Sequence, residues 1–544
     1  MRFLPCLFLL LCTGYAAMAQ SPLVKQWDAR YGGNLYEFLV SFQPTSDGGF
    51  IAGSRTSSDS SGDKTQPGWG GEDYWIVKLD ANGQKQWDKR FGGTDHEWFA
   101  CVKQTPDGGY ILGGGTSSHN DGDVSEDTRD TPPNTTFDYW IVKTDAQGNK
   151  QWDRRYGGNS YDLFQSLDLT ADGGYILGGH SISDSSGDKT QPKRGGYDYW
   201  IVKIDTAGNK QWDKRFGGSA HDQLSFVKQT LDGGYILGGE AVSSGNGDIS
   251  PTLPFGGSNY WVVKTDALGN KEWDRLYGGT NVDVLFDVIQ TADQGFVLCG
   301  SSISNADGNK SHPNLGVYNN TADCWLVKID AAGNKQWDRV YGGSGNEGVP
   351  SIIKTTDGGY LITCESSSPA GFDKTENNTA ESHAWMLKLD SAFNRQWDKT
   401  ILTDTGFIHG TFTVQSGHCY ATAVSTDAQV GGYKTQTNRG LTDVWAIMFC
   451  DTTAVTGIIE SNTQIAIYPN PFTTQLQVKL LGVTNGSATF KIMNALGQIV
   501  FSETEVYSGT SYVKTIPVSF LSSGFYIAEV TTWAERKRMQ MVKQ

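Results

Sequence analysis

Short apolar runs alternate with polar turns along most of this chain, and they recur in a fixed order. In the third unit a mixed run over 162–170 ends at the turn 172–174 (DGG), and the apolar stretch 175–179 (YILGG) follows. A long polar loop leads to 198–204 (DYWIVKI), and a tight turn at 205–209 (DTAGN) feeds 210–216 (KQWDKRF). Gly and Asn at such turns supply the positive-φ positions that hairpins need. No segment sustains a 3.6-residue period, so each unit reads as four short strands with no helix.

The tripeptide Gln-Trp-Asp marks the fourth strand of every unit, with tryptophans at Trp27, Trp87, Trp152, Trp212, Trp273 (Glu-Trp-Asp here), Trp337 and Trp397. Their spacings are 60, 65, 60, 61, 64 and 60 residues. Four antiparallel strands recurring at this interval predict the blades of a β-propeller. The chain starts out of phase: 24–30 is a lone fourth strand, and the last unit has strands over 405–415, 419–425 and 443–449 but no fourth. The two defects complete each other, which predicts an all-β, seven-bladed propeller closed by the N-terminal strand with no free sheet edge.

The Asp-x-x-Gly-Asn-Lys-x-Trp stretch of each unit resembles the turn-plus-tryptophan motif of quinoprotein-type propellers, and is less like WD40 repeats. That resemblance covers the last hairpin of each unit and implies that the tryptophans pack between blades as structural residues.

After Asp451 the repeat stops, and a polar linker over 452–463 precedes several strand-like runs that read as a small β-sandwich. Tyr468-Pro469-Asn470-Pro471-Phe472, the turn at 495–498 (ALGQ), Leu521 with Gly524 and Tyr526, and the terminal lysine segment stand here in the order of a known family. Over 464–544 the chain resembles the C-terminal sorting domain (type A) of Bacteroidetes type IX secretion substrates. The resemblance implies passage across the outer membrane by the type IX machinery, with the body anchored at the surface or released.

The N-terminus fits such a route. Arg2, the apolar run 3–12 and the A-x-A site at 17–19 read as a secretory signal over 1–19, leaving a propeller over 20–451. No later run approaches the ~18 apolar residues of a membrane-spanning helix. A formal charge of −15 argues against nucleic acid as partner. Six cysteines remain after signal removal, and they do not follow the repeat. Cys299 with Cys324, and Cys419 with Cys450, fall on neighbouring strands, where bridges or buried thiols are both open.

Chemistry is expected on the face that carries the long loop between second and third strands. One recurrent acid follows each Gly-Gly crossing: Glu37, Glu97, Asp162, Asp222, Asp283 and Glu347. These form either an acidic ring around the channel, suited to a cation, or caps on their own Gly-Gly turns. A second acid lies in the long loops as Asp63, Asp123, Asp188 and Asp248, with Asn309 and Asp373 as looser equivalents. Its oxygen-rich spacing suits calcium, and an Asx-turn is the alternative. The irregular residues Trp69, His96, Trp98, Asp127, Arg129, Arg194 and His221 make a candidate sugar-binding rim.

Searches for a Gly-x-Ser-x-Gly elbow, a His-Glu-x-x-His pair, a phosphate loop or Cys-x-x-Cys find none. The reading is an exported propeller acting as a non-catalytic binding module toward glycans or a surface protein. The alternatives are a polysaccharide hydrolase or lyase using a carboxylate pair on the loop face, and a quinoprotein-like dehydrogenase.

Overall fold

The computed structural model describes residues 21–129, 136–251, 256–316, 321–451, 464–469, 471–481, 486–494, 498–507, 511–532 and 536–543. The expected signal at 1–19, the linker at 452–463, and Asn470 of the sorting motif lie outside the described residues. All regular elements among the described residues are strands, and the chain divides into two compact units at Asp451/Thr452.

The first unit holds seven four-stranded antiparallel sheets. Asp162–Leu169, Tyr175–Ser181, Asp198–Ile204 and Lys210–Phe216 form one of them in simple up-and-down order. Leu23–Tyr31 completes the last sheet by pairing along Asp443–Asp451, with Trp27 opposite Met448 and Tyr31 opposite Val444. The first strands of successive sheets pack side by side, and Glu37–Pro44 touches both Glu97–Gln104 and Ile408–Ser416. This is a β-propeller fold.

Two tryptophans per sheet divide the packing. The third-strand ring (Trp75, Trp140, Trp200, Trp261, Trp325, Trp385, Trp445) is wholly buried. Each donates its indole N–H to the aspartate of the fourth-strand Gln-Trp-Asp at 3.0–3.2 Å, as Trp75 does to Asp88 and Trp445 to Asp28. The same carboxylate accepts a backbone N–H from the long loop, as from Thr65 to Asp88 at 2.9 Å. A lysine three residues earlier completes its shell in six of the sheets, with Lys85 2.7 Å from Asp88, and Arg395 stands there in the sixth. The aspartate therefore ties strand, hairpin and loop together.

The Gln-Trp-Asp tryptophans are half-buried, apart from buried Trp397, and pack on the next sheet. Trp27 lies against Phe50, Trp87 against Tyr110 and Trp397 against Tyr420. A Cβ at Gly83 would meet the Trp27 ring at 2.7 Å, and Gly83 has φ +75°, so the hairpin turn takes glycine on two counts. Phe393 occupies the corresponding turn of the sixth sheet at φ +63° and stacks on Tyr360 with centroids 4.2 Å apart. Its carbonyl accepts from the Tyr341 hydroxyl at 2.6 Å, which holds the unusual backbone in place.

Of the cysteines, Cys419 and Cys450 are directly opposite in register and joined in a disulfide. Cys299 faces Leu326 while Cys324 faces Ser301, a diagonal placement, and both are buried free thiols, as is Cys364.

The second unit is a sandwich. One sheet orders Gln464–Tyr468, Gln475–Leu481 and Ser511–Pro517; the other orders Ile499–Tyr507, Gly486–Asn494, Gly524–Thr532 and Arg536–Lys543. Ile467, Val478 and Ile516 of one sheet share a core with Phe490, Val530 and Met541 of the other. Phe472 of the sorting motif is fully buried in that core, with the Tyr526 ring 6.2 Å away and Lys543 Nζ 5.8 Å from its centroid. Tyr468 is exposed, and Tyr526 donates its hydroxyl to the Ser522 carbonyl at 2.9 Å.

Candidate ligand-binding face

The recurrent acids behave differently from a channel ring. Glu37, Glu97, Asp162, Asp222, Asp283 and Glu347 are all fully buried, and none lines the central cavity. Each accepts the N–H of the second glycine of its own crossing at 2.7–2.9 Å, as Gly93 donates to Glu97. Serine and threonine hydroxyls complete the shell, with Ser118 donating to Glu97 at 2.6 Å. Capping displaces the cation reading, because the carboxylates are turned inward to satisfy orphan backbone donors.

Five of the six caps also meet a second buried acid from the preceding sheet, at the start of its third strand. The pairs are Asp73–Glu97, Asp138–Asp162, Asp198–Asp222, Asp323–Glu347 and Asp443–Glu37. A Cβ at Gly92 would sit 1.9 Å from Asp73 Oδ1 and 2.7 Å from Glu97 Oε2, so glycine is what lets the two carboxyls close over the crossing. Burial first, and the neighbouring carboxylate after it, push Asp73 and Asp138 up to about 7. Buried loop lysines (Lys64, Lys189, Lys310, Lys374, Lys434) offset the charge. In the second sheet Val124 replaces that lysine, and Arg155 enters instead, its Nε 2.7 Å from Asp138. In the fourth sheet Ile249 replaces the lysine and Asn259 the aspartate, so charge and counter-charge vanish together.

The long-loop acids are likewise engaged. Asp63 pairs with Arg439 at 3.1 Å, Asp123 with Arg90 at 2.9 Å, Asp188 with Arg129 at 3.0 Å, and Asp248 with Arg194 at 3.0 Å. Each carboxylate also accepts the N–H of the first crossing glycine (Gly32, Gly92, Gly157 and Gly217) at 3.2–3.3 Å. The four stand in four different sheets, each already holding a cation from the chain itself. In this arrangement the four acids expected to suit calcium are ion-paired, and Arg129 and Arg194 tie neighbouring loops together. Asp127 is exposed and pairs with His119 at 2.7 Å.

The open part of the face is aromatic. Residues on either side of each capping acid point outward, since strand neighbours alternate. The preceding position carries Tyr36, His96, Tyr161, His221 and Phe407, all exposed, in five of the seven sheets. The following position carries Phe38, Trp98 and His409. Tyr36 stacks on Phe38, with centroids 5.7 Å apart, and Phe407 on His409 at 6.2 Å. Arg55 lies 3.8 Å over the Trp98 ring and 5.6 Å from Phe38, with Glu72 3.4 Å from its guanidinium. Trp98 nevertheless remains 46% exposed. The His221 ring is 5.5 Å from Tyr197, and its Nδ1 accepts the Tyr197 N–H. His96 Nδ1 accepts the Glu72 N–H at 3.4 Å in the same way. Trp69, also exposed, lies 5.2 Å from Arg90. Of the expected rim, Trp69, His96, Trp98 and His221 keep accessible rings.

Beneath this arc the first strands of all seven sheets line a cavity of about 750 Å³. One second-strand position, directly across from Phe38, Trp98, Leu163, Gln223, Val284, Gly348 and His409, breaks the repeat: Arg55, Gly115, His180, Glu240, Ser301, Glu365 and Ser425. Sequence reasoning passed over this position because the flanking glycines and serines made the second strand look uniform.

Fold and tail together define an exported β-propeller. Residues 466–544 match the family described as Secretion system C-terminal sorting domain, so the chain carries a type IX sorting domain that directs it to the cell surface or the medium. The regulatory protein FlaEY of Caulobacter vibrioides is 27% identical over 178 residues, 32% of this chain. The match spans only 18% of that protein's length. The WD40 domain of Neurospora crassa Pan2 is similar at TM-score 0.42 and 11% identity, covering 79% of this chain and 97% of that one. A fungal alcohol oxidase of the AA5 family, in complex with copper, is similar at TM-score 0.43 and 11% identity, over 96% and 100% of the two chains. The polysaccharide lyase Uly1 is similar at TM-score 0.40 and 10% identity, over 77% and 91%. Nothing about ligand or chemistry follows from these likenesses.

Proposed function

We propose that this protein is a non-catalytic glycan-binding module. Its seven sheets act as blades of one ring closed by Leu23–Tyr31, exported with loss of residues 1–19 and guided by the tail at 464–544. The observation that carries the reading is the arc of accessible rings (Tyr36, Phe38, His96, Trp98, His221 and Phe407) on a face whose carboxylates are nearly all engaged in structure. Exposed aromatic faces stack on the apolar faces of pyranose rings, while nearby polar groups fix orientation. A net charge of −15 disfavours polyanionic chains.

Affinity electrophoresis and a glycan array with the purified protein test this. Retention of one or more polysaccharides, weakened about ten-fold by Trp98→Ala, is expected. Retention of no glycan, with capture of a surface protein instead, overturns it. Release of shortened sugars from a bound polysaccharide overturns the non-catalytic part.

A further inference from the structure

Two side chains on the cavity wall each bury one polar atom without a hydrogen-bond partner. His180 is 5% exposed; its ring bonds the backbone of Leu224, and its Nδ1 has no partner. Burial holds this imidazole neutral by pushing its pKa down to about 4, so Nδ1 is an acceptor rather than a second donor. Thr411, on the opposite stretch of wall, is equally buried and its hydroxyl is likewise unpartnered. A buried polar atom without a partner is costly to keep, and both of these stand on the wall of one cavity.

Glu240 and Gln223 face each other in register and both line the cavity. Both lysines on the wall are already paired, Lys228 2.6 Å from Asp287 and Lys103 2.7 Å from Asp168. What remains is a set of acceptors and amides able to receive several hydroxyl donors, at the loop-face end of a cavity of about 750 Å³. That volume lies within the range of small-molecule sites. A carboxylate at Glu240 and a neutral imidazole at His180 on the same wall disfavour a uronate and favour an uncharged polyol.

We propose that the cavity is a subsite for the end of a neutral glycan chain, entered from the aromatic arc and recognised through His180, Gln223, Glu240 and Thr411. The inference rests on the glycan reading above and adds that the ligand is held by its terminus rather than across its length.

Calorimetry on the full purified protein tests it with neutral gluco-, xylo- and manno-oligosaccharides, the same oligosaccharides with both ends blocked, and uronate oligomers. Glu240→Gln and Gln223→Ala are each expected to weaken binding of a free-ended neutral oligosaccharide by about ten-fold with unchanged melting. Thr411→Val, which removes only the unpartnered hydroxyl, is expected to weaken binding while holding or raising the melting temperature; a purely structural hydroxyl would leave binding unmoved. Blocking the chain ends is expected to abolish binding. Parent-like affinity in Glu240→Gln and Gln223→Ala, alongside loss in Trp98→Ala, overturns the chain-end subsite and leaves the glycan reading standing. Tighter binding of uronates, or of end-blocked chains, also overturns it. Binding of no saccharide at all overturns both.

Discussion

Trp200 and Asp213 stand thirteen residues apart, and the indole N–H of the first donates to the carboxylate of the second at 3.1 Å, both side chains being buried. Asp213 also accepts the Thr190 N–H at 3.0 Å and pairs with Lys210 at 2.8 Å. Asp213→Ala strands the indole and the loop donor together, so a loss of about 2–4 kcal/mol is expected in urea unfolding. Trp212→Ala, one residue earlier, removes a half-exposed ring and is expected to cost less. Equal losses for both would contradict this division of labour.

The fourth sheet offers a test of buried charge. Asn259 stands beside Asp283 where other sheets place a second carboxylate, and Ile249 fills the lysine position. Asn259→Asp is expected to destabilise by about 2–4 kcal/mol, since no cation compensates the added charge. Adding Ile249→Lys to that variant is expected to recover part of the loss, a coupling that a double-mutant cycle reads directly.

Stability is expected to peak in mild acid. Asp73 and Asp138 titrate at about 7, and Asp162 and Asp198 at about 6, all raised chiefly by burial. Against an unfolded value of about 4, these groups take up protons on folding, so their contribution falls as pH rises through roughly 4 to 7. Asp172 and Asp293 are held down at about 2 by their threonine and lysine partners, and they contribute stability that is lost as pH drops below about 4. Melting temperature is expected to be highest between about pH 4 and 6 and several degrees lower at pH 8. Asp73→Asn should flatten the alkaline limb; an unchanged slope would show that the pair does not titrate in this window.

Chelation is expected to leave the fold unmoved. Asp63, Asp123, Asp188 and Asp248 each hold an arginine and a glycine N–H. Melting curves with EDTA and with millimolar calcium should coincide within about a degree, whereas ligand-linked stabilisation at saturating metal would separate them by several.

The sequence carried the strand order and the pairing of Leu23–Tyr31 with the last sheet, because a tandem repeat repeats its turn chemistry and exposes any missing strand. Partnerships across the fold were harder to see. Asp63 reads like a metal ligand until its neighbour is known to be Arg439, 376 positions later, which only the approach of the first and last sheets brings near. Glu97 reads like a channel acid because alternation gives two faces without saying which is inward. Gly93 decides it by donating to the carboxylate. His180 and Glu240 were invisible for another reason: at those positions chemistry varies while backbone pattern does not.

The pairing of Leu23–Tyr31 with Asp443–Asp451 has a consequence for delivery. During export the first strand emerges some four hundred residues ahead of the strand it pairs with. Until that partner arrives it is a bare template for any stray strand. The propeller therefore matures last where it began first, just as the sorting tail follows into reach, and a transit chaperone for this cargo would have to guard the oldest segment longest.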